Sequence, residues 1–196
     1  MGHKFFDVFS QFKDIRILAW ILIIMIYGFS EFAIRIFNKR VRPKKKAIDI
    51  TEILITTSFI LAMYVSLFES LQRNHHWQLT ISIFGTILLL LGTIIRLTGL
   101  IQIGKGFSTK VERTEAQVLV TSGLYRFIRH PLYLATILQT VGSALMLCSY
   151  WTWLFITIGI YAVLLRIKKE ELFLSQEFSA YREYMSKTRK LIPWIF

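Results

Sequence analysis

The chain has 196 residues, 24 Lys+Arg against 12 Asp+Glu, and a formal net charge of +12. Hydrophobic residues make up 54% and the mean hydropathy is +0.51, too apolar for a soluble basic protein, in which the apolar share is about 45–50% even with glycine counted. Three prolines and ten glycines exclude disorder and collagen, and the lone Cys148 excludes an intrachain disulfide framework and a cysteine-rich zinc site.

Charge and hydropathy agree if apolar blocks cross a bilayer and the basic residues crowd one side of it. The expectation is an all-α integral membrane bundle forming one domain over residues 1–196. A spanning helix needs roughly 20 mainly apolar residues. The first candidate is Ile17–Phe37, and the second is Ile53–Phe68, somewhat short unless Ile48–Glu52 form its first turn. Leu79–Ile103 is the third and carries Arg96, whose charge calls for a partner, a cavity or the headgroup interface. These three make up residues 1–103. The fourth and fifth, Pro131–Leu147 and Trp151–Leu165, are separated by Cys148, Ser149 and Tyr150, a turn tight enough to make residues 131–165 an antiparallel hairpin. The first apolar block is too long for a cleavable signal and lacks a small-residue cleavage site.

The basic residues set the orientation. Lys39, Arg40, Arg42, Lys44, Lys45 and Lys46 follow the first span; Lys105, Lys110, Arg113, Arg126 and Arg129 follow the third; Arg166–Phe196 holds a third group. Arg73, His75 and His76 follow the second span, and the turn at Ser149 has no basic residue. By the positive-inside rule the rich segments are cytoplasmic, the N-terminus is outside and the chain crosses five times. The run 39–46 rests on anionic lipid headgroups; no aromatic pattern accompanies it, so nucleic acid is not a partner. Adjacent His75 and His76 point apart and form no metal site.

Chemistry-bearing residues concentrate in residues 104–196. Gln117-Val118-Leu119-Val120-Thr121-Ser122-Gly123-Leu124-Tyr125 leads into Arg126-Phe127-Ile128-Arg129-His130-Pro131-Leu132-Tyr133. Pro131 suits the first turn of a helix. The N–H groups and positive dipole end of that turn can receive an anion, with Arg129 and His130 as further donors. After the fifth span comes Arg166-Ile167-Lys168-Lys169-Glu170-Glu171-Leu172. If the helix continues as a cytoplasmic extension, Arg166 and Glu170 are i,i+4 neighbours, with Leu174 and Phe178 on the same face. Taken separately, these clusters read as a membrane-edge anchor and a surface salt-bridge ladder. The hairpin brings them to one depth, which points to a polar site at the membrane surface.

LVTSGLYRFIRHPLY, a spacer of hairpin length and RIKKEELFLSQEFSAYREYMSKTRKLIP together resemble the isoprenylcysteine carboxyl methyltransferase family, and the broader group with phospholipid N-methyltransferases. The likeness covers residues 117–193. Leu124 stands where bacterial members often have proline, and Leu134-Ala135 replace a common Thr-Gly. The resemblance implies a membrane enzyme using S-adenosylmethionine, bound by Gln117, Val118, Leu119, Val120, Tyr125, His130, Pro131, Leu132, Tyr133 and Glu170, with Arg166 meeting the acceptor. The donor's chemistry fits: a helix N-terminus with His130 suits its carboxylate, and Glu170 or Glu171 suits its ammonium or ribose diol. A carboxylate acceptor would take a bidentate contact from Arg166 and need no base; an amine would need Glu171 or His130 to remove a proton. No Rossmann glycine turn is present, because Gly104-Lys105-Gly106 follows a spanning helix and no strand. The expected partners are membrane lipids and a lipophilic acceptor from the bilayer, and the expected location is the cell (inner) membrane. A nicotinamide-dependent membrane reductase and a lipid-binding adaptor are the competing classes.

Overall fold

Long apolar runs with few breakers favour helix, and helix satisfies every backbone polar group without water. The computed structural model describes residues 15–37, 49–72, 78–103 and 119–192, and their architecture is helical. In chain order these are α1 (Ile15–Phe37), α2 (Ile50–Gln72), α3 (Leu79–Ile103), a single 3-10 turn (Gly123–Arg126), α4 (Pro131–Met146), α5 (Thr152–Glu177) and a short α6 (Tyr181–Lys187). The basic run 39–46, His75, His76 and the Gly104–Gly106 stretch lie outside the described residues.

The hairpin α4–α5 does not pack mainly on itself. α4 lies along α3 and α5 lies along α2. Glycine explains the first pairing: on α3, Gly85, Gly92 and Gly99 recur every seven residues and face α4. A Cβ on Gly92 would stand 2.8 Å from the Ala135 carbonyl, and one on Gly142 would stand 2.5 Å from the Leu89 backbone nitrogen. Backbones this close exclude any side chain between them, as in small-residue seams of membrane helices. The second pairing is polar. Ser66 Oγ and Thr152 Oγ1 are 2.9 Å apart, and Glu69 Oε2 accepts from Ser149 Oγ (2.5 Å), Tyr150 N (2.9 Å) and Trp151 N (3.1 Å).

Both pairings are antiparallel, and the turn after α4 makes α5 antiparallel to α4. One end of the bundle therefore gathers the start of α2, the end of α3, the start of α4 and the late turns of α5. The segments that adjoin the basic groups thus share an end. The opposite end carries the exposed aromatics Tyr150, Trp151 and Trp153, residues that favour a membrane–water interface. α1 docks through buried Ile17 and Trp20 against Leu89, Met146 and Leu147, and Trp20 Nε1 donates to Ser143 Oγ. Arg96 does not reach for the headgroups: its Nη1 donates to Thr136 Oγ1 at 2.8 Å and its guanidinium lies 5.6 Å from the Tyr27 ring centroid. α2 and α3 are each long and apolar enough to cross a membrane. Leu22, Met25, Ile60, Tyr64, Phe84, Ile87 and Ile94 face outward, an apolar surface suited to lipid.

Candidate active site

The site is assembled at the end where α4 begins. A sharp turn prepares it: Gly123 has φ +62°, where a Cβ would run into Gln102, so only glycine fits comfortably. Gln102 Oε1 from the end of α3 accepts from the Leu124 N–H at 2.8 Å. The chain then passes Tyr125, buried at 6% exposure, and enters α4 with Pro131 in the first turn and His130 as the N-cap. Leu132 packs on Gly99, Pro131 is buried, and Leu119 and Val120 are partly buried in non-helical chain. Gln117 and Val118 lie outside the described residues.

α5 runs through to Glu177, so Arg166, Glu170 and Glu171 share one continuous helix; it ends before Phe178, which is the extended C-cap and not part of the helical face. The two glutamates turn inward. Glu170 Oε1 accepts from Tyr133 Oη at 2.6 Å and from Arg166 Nε at 3.1 Å, the expected i,i+4 contact. His130 lies between the two carboxylates, with Nδ1 3.6 Å from Glu170 Oε2 and Nε2 3.5 Å from Glu171 Oε1. Tyr133, His130, Glu170, Glu171 and Arg166 are therefore brought together, and a solvated salt-bridge ladder with Lys168 and Lys169 is not what forms.

Arg129 differs from its expected role as a donor beside the helix start. Its Nε donates to Glu171 Oε1 at 2.8 Å, and its Nη1 donates to the carbonyls of Thr188 (2.5 Å) and Met185 (3.1 Å). The backbone joins in: Arg129 N donates to the Arg189 carbonyl (2.7 Å) and Arg189 N to that of Phe127 (3.1 Å). The residue stitches the C-terminal segment over the site. Tyr184 Oη adds a 2.6 Å bond to the Tyr125 carbonyl.

Electrostatics keep the charges fixed. Burial works against ionisation of Glu171, but the His130 and Arg129 hydrogen bonds outweigh it and hold the carboxyl at about 2. The Tyr125 and Tyr181 phenols are pushed up by burial, helped by neighbouring negative groups, and the Tyr184 phenol rises to about 12. All three remain protonated donors at neutral pH. Among the described residues, two buried hydroxyls near the glutamate pair make no hydrogen bond, Tyr125 Oη and Tyr181 Oη. Buried polar groups normally find partners, and such a cluster is the mark of a polar ligand's seat. No group of three or more potential metal ligands occurs among the described residues.

Residues 85–176 match the model of the isoprenylcysteine carboxyl methyltransferase family. Over that segment the chain is similar to the isoprenylcysteine carboxyl methyltransferases. It is 29% identical over 200 residues to protein-S-isoprenylcysteine O-methyltransferase A of Arabidopsis thaliana, covering 96% of this chain and 98% of that one. It is 25% identical over 179 residues to the Homo sapiens protein-S-isoprenylcysteine O-methyltransferase, covering 87% of this chain and 62% of the human one. The fold matches that in a structure of the eukaryotic intramembrane Ras methyltransferase of this family, with a TM-score of 0.61 at 20% identity; the match covers 90% of this chain and 66% of that chain. The family segment begins in α3, ahead of the motif stretch, and stops in α5 before Tyr181. The plant relative aligns along almost the whole chain, including the first two helices, where no motif was legible.

Proposed function

We propose that this chain is a membrane-embedded methyltransferase that uses S-adenosylmethionine and methylates a lipophilic acceptor ending in a carboxylate, of the isoprenylcysteine type. The observation that carries this reading is the meeting of His130 and Tyr133 with Arg166, Glu170 and Glu171 beside two buried tyrosine hydroxyls, Tyr125 Oη and Tyr181 Oη, that make no hydrogen bond. The kinship with named O-methyltransferases supports it independently.

The residues present fit the cofactor. The first turn of α4 offers backbone N–H groups and a positive dipole end to its carboxylate. Glu170 suits its ammonium or ribose diol, and the protonated Tyr125 and Tyr181 hydroxyls suit its acceptor atoms. Leu119, Val120, Pro131 and Leu132 would supply apolar wall, and Gln117 and Val118 belong to the same reading. When bound, S-adenosylmethionine supplies a methyl group on a positively charged sulfur, which leaves as a neutral thioether when the acceptor oxygen takes the methyl. The chain's own task is alignment, because a carboxylate acceptor is ionised at neutral pH and needs no base. Arg166 would hold that carboxylate, lying one turn nearer the membrane core than Glu170 on the same helix.

In the membrane the chain would cross five times, with its N-terminus outside. The basic segments and the extension of α5 beyond Leu165 would be cytoplasmic. The cofactor would enter from that side and the acceptor laterally from the bilayer of the cell membrane. Binding tests the cofactor half. S-adenosylhomocysteine should stabilise the detergent-purified protein against heat, and a nicotinamide dinucleotide should not. Glu170→Gln and His130→Ala should each weaken that binding by about 1–3 kcal/mol. Stabilisation by the dinucleotide alone, or unchanged affinity in both variants, would contradict the reading.

A further inference from the structure

Asp49 lies outside the family-matched segment, one residue ahead of α2, yet its carboxylate reaches the site. Its Oδ2 accepts from Arg166 Nη1 at 2.7 Å. On the other edge of the same guanidinium, Nε donates to Glu170 Oε1 at 3.1 Å. The arginine side chain is 1% exposed and so has no water to satisfy it. Its fork is held by one carboxylate 117 residues away in sequence, just ahead of α2, and by another one turn along its own helix α5.

The two oxygens of Asp49 do different things. Oδ1 accepts from the Thr51 backbone N–H at 2.9 Å and from Thr51 Oγ1 at 2.6 Å, closing the first turn of α2. Lys169 Nζ stands 3.4 Å from that same oxygen. The cap alone would hold the carboxylate in place, with or without Arg166. Oδ2 is then a fixed anion presented to the buried fork, and with Glu170 it sets the plane in which the fork lies.

We infer that Asp49 is a positioning residue for methyl transfer: anchored as the cap of α2, it holds the Arg166 guanidinium in the orientation that meets the acceptor's carboxylate. The inference rests on the methyltransferase reading above. It also assigns part of the site to the N-terminal half of the chain, where the sequence displays no motif.

Asparagine separates this role from plain capping. It caps a helix as well as aspartate does and can still accept both Thr51 bonds, but it presents no charge to Arg166. The experiment compares wild type with Asp49→Asn in lipid. It measures thermal midpoint, S-adenosylhomocysteine affinity, and kcat and KM for a small amine-blocked S-isoprenyl cysteine. The expected result is a folded variant with a modestly lowered midpoint, cofactor affinity within about twofold, and a fall in kcat/KM of about tenfold or more. Wild-type turnover in the Asn variant overturns the inference and leaves Asp49 a cap. A lower KM at unchanged kcat also overturns it, because Asp49 would then compete with the acceptor instead of aligning its partner. If the Asn variant cannot be recovered folded, Asp49→Ser, another strong cap, undergoes the same comparison. The wild-type arm tests the underlying reading separately: a wild type that binds no S-adenosylhomocysteine and methylates nothing fails before any variant is compared.

Discussion

Arg166 shows what a spacing rule can and cannot say. Its i,i+4 relation to Glu170 was legible because helix geometry alone dictates it, whereas its burial and its partner Asp49 depend on α2 lying against α5. Snorkelling would leave the guanidinium in water, and 1% exposure excludes that. Replacing Arg166 by Ala would take from Asp49 and Glu170 the buried cation they share, a change that costs about 3–5 kcal/mol in buried pairs and would blur any functional loss. Arg166→Lys retains the charge and loses the planar fork. That variant should fold and bind S-adenosylhomocysteine nearly as wild type does, while methyl transfer drops strongly; full activity in it would remove Arg166 from the acceptor role. The carboxylates also set an acid limit. Asp49 is held at about 2, chiefly by the Thr51 hydroxyl against the opposing effect of burial, with the Thr51 N–H, Arg166 and Lys169 adding to it. Glu171 stands at about 2 as well. Both are depressed below their ordinary values of 3.8 and 4.5, so their stabilisation is fully present above those values and is lost as pH falls toward 2. The thermal midpoint should be insensitive to these two groups above about pH 5 and drop below it. Asp49→Asn with Glu171→Gln should flatten that drop, and a wild-type slope retained in the double variant would place its origin elsewhere.

Among the helices, boundaries were easier to read than partners. Leu79–Ile103 was read to the residue because apolar runs end where polar or basic chain begins, and α4 differs from expectation by one residue at its end. α2 is longer than expected, starting at Ile50 behind the Asp49 cap and running on to Gln72. Partner choice was not legible in hydropathy, which is nearly uniform around such helices. The signal lay in the seven-residue recurrence of Gly85, Gly92 and Gly99, which marks one face of α3 for close contact. Glu69 is similar: an acid at the end of an apolar helix has no evident purpose until three donors from the turn before α5 are seen to converge on it. Glu69→Ala should leave those donors short of an acceptor and destabilise the protein by about 2 kcal/mol, with Glu69→Gln costing less because one amide oxygen still accepts. Equal thermal midpoints for the Ala variant and wild type would show that the turn is held by other means.

Across the whole molecule, the bundle separates its tasks by end. Glu69 and the exposed aromatics close the turn at one end, and the opposite end gathers the carboxylates, His130 and Arg166. The C-terminal half of the site was legible because its residue types carry their own chemistry at fixed spacing. Asp49 was not, since nothing local distinguishes it from any other helix cap. The reading as a carboxyl methyltransferase is tested most directly by the bond that is made. The purified chain, in lipid vesicles, is given methyl-labelled S-adenosylmethionine and an amine-blocked S-isoprenyl cysteine, and the labelled product is treated with mild base. A methyl ester releases its label as methanol, so base-labile label dependent on the enzyme is the predicted result; label that survives base, or none transferred although S-adenosylhomocysteine binds, would contradict it.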